Sequence, residues 1–189
     1  MAGLVIVALS ACGGPQEAEP VNEMTFSLDK VKELTISYDE EDIRFLKSGS
    51  GELIIKEYMS KDKKKYYARV SQNEESVSVS EGGKPLFGGD FQRRIEVYLP
   101  DDYSESLKVT STDGNIDMSE MDVNLASLRV DCSSGTFKLK AARAKSIHLS
   151  STSGTLELGD LAAKKICVET TEGEVRCAKA EGYVAYTST

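Results

Sequence analysis

The chain has 189 residues, 40% of them hydrophobic and 29% charged, with a formal net charge of −8. That length suits one ordinary domain, or a domain on a short tether, and the composition excludes a disordered or membrane-spanning chain. The acidity excludes nucleic acid and charge-driven docking on anionic lipid, because both need clustered Lys and Arg.

Residues 1–11 (MAGLVIVALSA) are apolar and precede Cys12. The stretch is too short for a bilayer, which needs about 20 residues, but it suits the hydrophobic region of a signal peptide. Leu9, Ser10, Ala11 and Cys12 resemble the bacterial lipobox, in which the Cys thiol receives a diacylglyceryl group. The expectation is a signal peptide over 1–11, lipidation at Cys12 and a polar tether over 12–23 rich in Gly, Pro and Glu. No Lys or Arg precedes the apolar run, which points to a misassigned start or a trimmed N-terminus. The implied address is a bacterial membrane, and Gly13 after Cys12 permits outer-membrane sorting in a diderm cell.

From residue 24 the chain reads as one all-β domain. Alternating runs at 34–37, 43–46, 52–56, 66–70, 76–79 and 95–99 predict irregular strands over 24–100, separated by turn signals at 48–51, 61–65 and 82–85. This part is expected to cap the C-terminal half of the domain, and the lysine run at 61–65 to be a solvated tip.

A repeat occupies 101–189. The segments 107–114 (LKVTSTDG), 128–135 (LRVDCSSG), 147–154 (IHLSSTSG) and 166–173 (ICVETTEG) align, with glycines 21, 19 and 19 residues apart. Aliphatic residues stand seven and five before each Gly, and apolar residues return two and four after it. Each unit is therefore a strand, a Gly turn and a second strand, with Gly expected to supply positive φ. The constant period favours a single-domain β-solenoid of stacked coils; the alternative is an antiparallel sandwich or meander, which Asp113-Gly114 would suit as a hairpin turn. Three residues after the glycines come Asp117, Lys138, Glu157 and Arg176, whose alternating signs a stacked ladder would favour. The match continues at 184–189, where the next turn Gly would fall at position 191. The expectation is an incomplete last coil, covered by further chain, a partner or a second copy pairing edge to edge.

Apart from Cys12, the cysteines are Cys132, Cys167 and Cys177. In register, Cys177 falls in the buried column of Met118, Leu139 and Leu158, Cys167 in the outward column of Lys108, Arg129 and His148, and Cys132 near the turn. Three free thiols are expected, with no zinc spacing, no metal and no cofactor. His148 is the only histidine and is read as solvated. Asp113, Asp117 and Asp131 are the strongest carboxylate candidates for glycoside chemistry, but their columns differ, so no catalytic residues are expected.

The segment 95–100 (IEVYLP), the repeat after it and the later Ser-Gly-Thr-Leu-Glu-Leu unit resemble the bacterial putative-adhesin family of β-strand-repeat proteins, over roughly 24–189. The resemblance implies a β-solenoid outside a membrane, often lipid-anchored, and supplies no catalytic residues. The function expected is a non-catalytic envelope module that binds a glycan or a protein. A carbohydrate-active enzyme on the same scaffold and an accessory of envelope stress or assembly are the alternatives.

Overall fold

A computed structural model describes residues 19–85 and 91–189. The signal peptide and Cys12 lie outside the described residues. Among the described residues twelve strands form one sheet that curls on itself: β1 (Asn22–Ser27), β2 (Glu33–Tyr38), β3 (Asp42–Ser48), β4 (Glu52–Met59), β5 (Arg69–Gln72), β6 (Ser76–Ser80), β7 (Arg93–Pro100), β8 (Ser106–Ser111), β9 (Ile116–Cys132), β10 (Thr136–Ser151), β11 (Thr155–Thr170) and β12 (Glu174–Ser188).

The repeat is a parallel solenoid. β10 lies between β9 and β11, and β12 pairs β11, all in parallel with like positions side by side: Phe137 beside Ile116 and Leu156, Ile147 beside Leu128 and Ile166. Each coil has three legs, because pairing between β10 and β11 skips positions 140 and 145, where the chain turns corners. The segment at 159–163 that leads into the next unit is the second leg. The 21-residue first period also has a physical cause. Pairing shifts between Met118 and Asp122, where β9 carries two extra residues and turns Met121 inward. The antiparallel alternative is not observed in the repeat, and Asp113-Gly114 links parallel coils rather than a hairpin.

Alternation places Leu107, Val109, Leu128, Val130, Ile147, Leu149, Ile166 and Val168 inside, with Ile116, Met118, Phe137, Leu139, Leu156 and Leu158 facing them. The glycines serve the stack in a way the sequence reading did not anticipate. Only Gly135 among the four turn glycines has positive φ, at 84°. At all four a Cβ would run into the turn carbonyl of the preceding coil, for Gly135 the oxygen of Gly114 at 2.6 Å. Close approach of backbone to backbone, more than backbone hand, selects Gly there.

The region before residue 101 is more regular than its sequence suggests. β2 lies beside β8 with Leu34 against Leu107 and Ile36 against Val109, and β3 continues beside β9 with Ile43 against Ile116. These two strands form a coil of the same kind, in which Glu41 holds the turn position. β6 and β7 stack beyond them, Val77 on Leu34 and Ile95 on Ile43. The expected cap is present: β4 runs antiparallel to β7, β1 to β4 and β5 to β6, and Phe26, Leu53 and Ile55 close that end of the core. Lys64 and Lys65 are exposed, as a solvated tip would be, but Tyr66, expected to begin a strand, instead closes the 3₁₀ turn Lys64–Tyr66 and is buried.

At the far end no described strand covers the outer edge of β12. Cys177 keeps its expected column beside Leu158 but is exposed, because burial needs a further coil on top. Val184 and Tyr186, next to the buried Ile166 and Val168, are exposed for the same reason, while Tyr183 continues the outward column of Ser146 and Lys165.

The charge ladder extends far beyond the repeat. Register runs from Glu23 to Lys56, Glu96, Arg44, Asp117, Lys138, Glu157 and Arg176, eight positions whose signs alternate without a break. Lys56 reaches Glu23 at 3.6 Å and Lys138 reaches Glu157 at 3.4 Å. Asp117 loses hydration by burial, but hydrogen bonds from Ser119 and the charges of Arg44 and Lys138 outweigh that and hold its pKa below the ordinary value.

Candidate functional site

Two places concentrate polar chemistry. The first is a cleft beside β4 and β7 lined by Glu40, Glu41, Tyr58, Phe91, Arg93 and Arg94, of about 800 Å³. Carboxylates and aromatics meet there, as a glycosidase would require. The charges, however, are spoken for. The Arg93 side chain is 0% exposed and donates from Nε and Nη2 to Glu41 Oε1, from Nη2 to Glu81 Oε1 at 2.6 Å and from Nη1 to the Tyr66 carbonyl at 2.7 Å. Lys84 holds Glu40 at 3.0 Å and Glu81 at 2.9 Å. Burial opposes the Glu41 charge, but Arg93 and Lys84 outweigh it and its pKa falls. Burial acts first on Glu81 too and raises it. Behind this cluster Glu57 is wholly buried and accepts from Asn22 Nδ2, Tyr38 Oη and the Ala68 N–H. Every one of these groups is satisfied by its neighbours, which describes a polar clamp between cap and solenoid rather than a reaction centre.

The second place is the outer face of the third leg. Parallel register stacks Lys108, Arg129, His148 and Cys167 in one column and Thr110, Asp131, Ser150 and Glu169 in the next. Residues two apart on a strand share a face, so the two columns run side by side. Ser150 donates to Asp131 Oδ1 at 2.9 Å, Arg129 Nε to Asp131 Oδ2 at 2.7 Å, and His148 Nε2 lies 3.9 Å from Asp131 Oδ1. Cys167 Sγ donates to Glu169 Oε1 at 3.3 Å. The donor atoms of His148, Cys167 and Glu169 all lie within 4.8 Å of one another. Burial first, and then the Glu169 carboxylate, raise the Cys167 thiol pKa. Toward the turns the face becomes a hydroxyl-rich groove bordered by Ser37, Asp39, Thr112, Ser133 and Thr152.

The carboxylates singled out in the sequence are not brought together. Asp113 sits on an exposed turn and accepts from Ser134, Asp117 stands in the charge ladder, and Asp131 lies on the third leg. Cys132, Cys167 and Cys177 are unbridged. Cys132 is buried in a column with Ser111 and Ser151, whose hydroxyls accept from the Gly114 and Gly154 N–H groups, and burial raises its thiol pKa. The sequence reading put His148 and Cys167 in one column but did not treat them as neighbours, and it missed Glu169. The clamp at Arg93 went unread as well; its one signal was a pair of arginines at the start of an apolar strand.

A comparison with curated proteins finds no match. Among solved structures, a "putative cell adhesion protein" from Clostridium sporogenes is similar, with a TM-score of 0.54 and 9% identity over 90% of this chain and 99% of that one. A "putative adhesin" from Parabacteroides distasonis, at 0.40 and 10%, covers 89% and 92%, and one from Bacteroides fragilis, at 0.38 and 13%, covers 89% and 96%. The first shows the common fold. The model of the Toastrack DUF4097 family matches residues 31–189, so the stacked coils and the cap that closes them belong to a member of that family.

Proposed function

We propose that the chain is an exported, lipid-anchored module of the bacterial envelope that binds an extended glycan along its third leg and carries no catalysis. The observation that carries the reading is the paired outer columns, in which Thr110, Asp131, Ser150 and Glu169 set a hydroxyl and a carboxylate on alternate coils at strand spacing, about 4.8 Å, beside Lys108, Arg129 and His148. A ligand that itself repeats can meet such an array at several coils at once. The adhesion role named for the Clostridium sporogenes neighbour is in keeping with this. The enzyme reading gains little from the cleft, where Glu40 and Glu41 are committed to Lys84 and Arg93.

Glycan-array screening of the soluble chain, with Thr110→Ala/Ser150→Ala as control, tests the binding reading. Retention of a defined polysaccharide class, weakened in the double variant, supports it; an array blank at every concentration overturns it. Anchoring rests on the lipobox and the polar tether behind it. Wild type should incorporate labelled palmitate and Cys12→Ala should not, while both keep the same circular dichroism. Equal labelling would defeat the anchor. Among the described residues no helix is long and apolar enough to cross a membrane.

A further inference from the structure

We infer that His148, Cys167 and Glu169 form a binding site for one borderline divalent transition metal, with zinc the best fit. The inference is independent of the glycan reading and rests on the juxtaposition of an imidazole, a thiol and a carboxylate on two neighbouring strands.

The geometry is set by backbone pairing. His148 and Cys167 are ladder partners, and Glu169, two residues beyond Cys167, is the partner of Ser150. All three side chains leave the same face of the sheet. Their donor atoms lie within 4.8 Å of one another, and Cys167 Sγ is already 3.3 Å from Glu169 Oε1. Tetrahedral zinc, with bonds of about 2.3 Å to sulfur and about 2.0–2.2 Å to nitrogen and oxygen, holds its ligands about 3.5 Å apart. Side-chain rotation alone closes the remaining gap, because strand register does not have to change.

The donor set selects the metal. Calcium and magnesium take oxygen ligands and have little use for an imidazole or a thiolate. A mixed nitrogen, sulfur and oxygen set matches zinc, and three protein ligands leave the fourth position to water. On binding, the Cys167 S–H bond gives way to a sulfur–metal bond and the proton passes to solvent. Asp131 acts as a positioning residue. Its Oδ1 lies 3.9 Å from His148 Nε2, and Ser150 and Arg129 hold the carboxylate in place.

The position within the repeat is a second observation. The same outward column carries Ser78, Thr35, Lys108 and Arg129 in the coils below, none of them a ligand of this kind. Among the described residues the donors appear together only here, where the chain departs from its own pattern. On the opposite leg, by contrast, eight charges alternate in the order that favours stacking.

The test uses the full chain with Cys12→Ala, titrated with Co²⁺ as spectroscopic probe and with Zn²⁺ against a chromogenic chelator. One Co²⁺ per chain with a thiolate charge-transfer band, displaced by Zn²⁺, is expected. Cys167→Ser should abolish the band, while Cys132→Ser and Cys177→Ser keep it. His148→Ala and Glu169→Gln should weaken zinc by at least about tenfold, and Asp131→Asn by about tenfold. All the substituted ligands lie outside the core, so circular dichroism should be unchanged. Absence of the band, its survival in Cys167→Ser, unaltered affinity in His148→Ala, or weak uptake of several ions per chain would each overturn the site.

Discussion

Arg93 is the residue on which cap and solenoid meet. Its guanidinium is fully enclosed and joins Glu41 at a coil turn, Glu81 after β6 and the Tyr66 carbonyl. Arg93→Ala would leave Glu41 and Glu81 with Lys84 alone, a cation they share with Glu40, and a loss of about 3–5 kcal/mol is expected in urea denaturation. The acid response can be assigned within the same cluster. Glu41 titrates below its ordinary 4.5, so the stability it supplies is complete above that pH and drains away as pH falls through the lower value of the folded state. Glu81, raised mainly by burial, has the opposite sign: its contribution is full below the ordinary value and is lost as pH climbs through the higher one. Glu41→Gln should therefore flatten the fall of the urea midpoint below pH 4.5, and Glu81→Gln should not. In the repeat, Leu156 is fully buried and Leu156→Ala is expected to cost about 2–5 kcal/mol. Its neighbour Glu157, a half-exposed partner of Lys138, should cost about 0–1 kcal/mol on truncation. Denaturant midpoints in the reverse order would contradict the inward and outward assignment of that strand.

The element that proved most readable was the coil. Fixed positions of aliphatic residues around a glycine announced the strands, their faces and the column each residue would join, and the register bears this out from Leu107 to Tyr186. Two features hid the coil of β2 and β3. Glu41 stands where later coils have Gly, and the chain runs through β4 to β7 before the next unit begins, so neither the residue nor the period signals kinship. The cap was legible as strands but not as pairings, since antiparallel contacts between distant segments leave no local mark. Burial of Cys177 failed for a different reason: the column was read correctly, but burial depends on whatever lies on the other side of the strand. The cluster of His148, Cys167 and Glu169 was half legible: the shared column of His148 and Cys167 was read, but Glu169 stands in the neighbouring column, whose side chains lie beside the first only once the strands are paired. At this scale the turn glycines invite a test. Gly114→Ala places a methyl group against the Glu41 carbonyl, a rigid backbone neighbour, and should lower the melting temperature more than Gly49→Ala, where the space is open. Equal melting temperatures would refute the close-approach account of these turns.

Taken whole, the molecule is asymmetric: one end of its core is closed by β1, β4 and β5, and the other ends at β12. Tyr183, at 69% exposure, with Val184 and Tyr186, makes that edge apolar as well as rich in unpaired backbone groups. Such an edge is a template for another strand. The 1–189 chain is expected to self-associate through it, and Val184→Lys/Tyr186→Lys to shift sedimentation toward the monomer. A wild-type chain that stays monomeric at high concentration would count against this edge as a contact surface.

The alternating ladder also gives the solenoid a parity. Duplicating residues 136–154 would insert one coil and set Lys138 beside a second copy of itself. Duplicating 136–173 would insert two coils and keep every neighbour opposite in sign. Each like-charged contact opposes stacking by about 0.2–1 kcal/mol. A solenoid of this kind therefore grows or shrinks most easily in even steps, and the unit that can be copied without penalty is the pair of coils, although the fold repeats with every one.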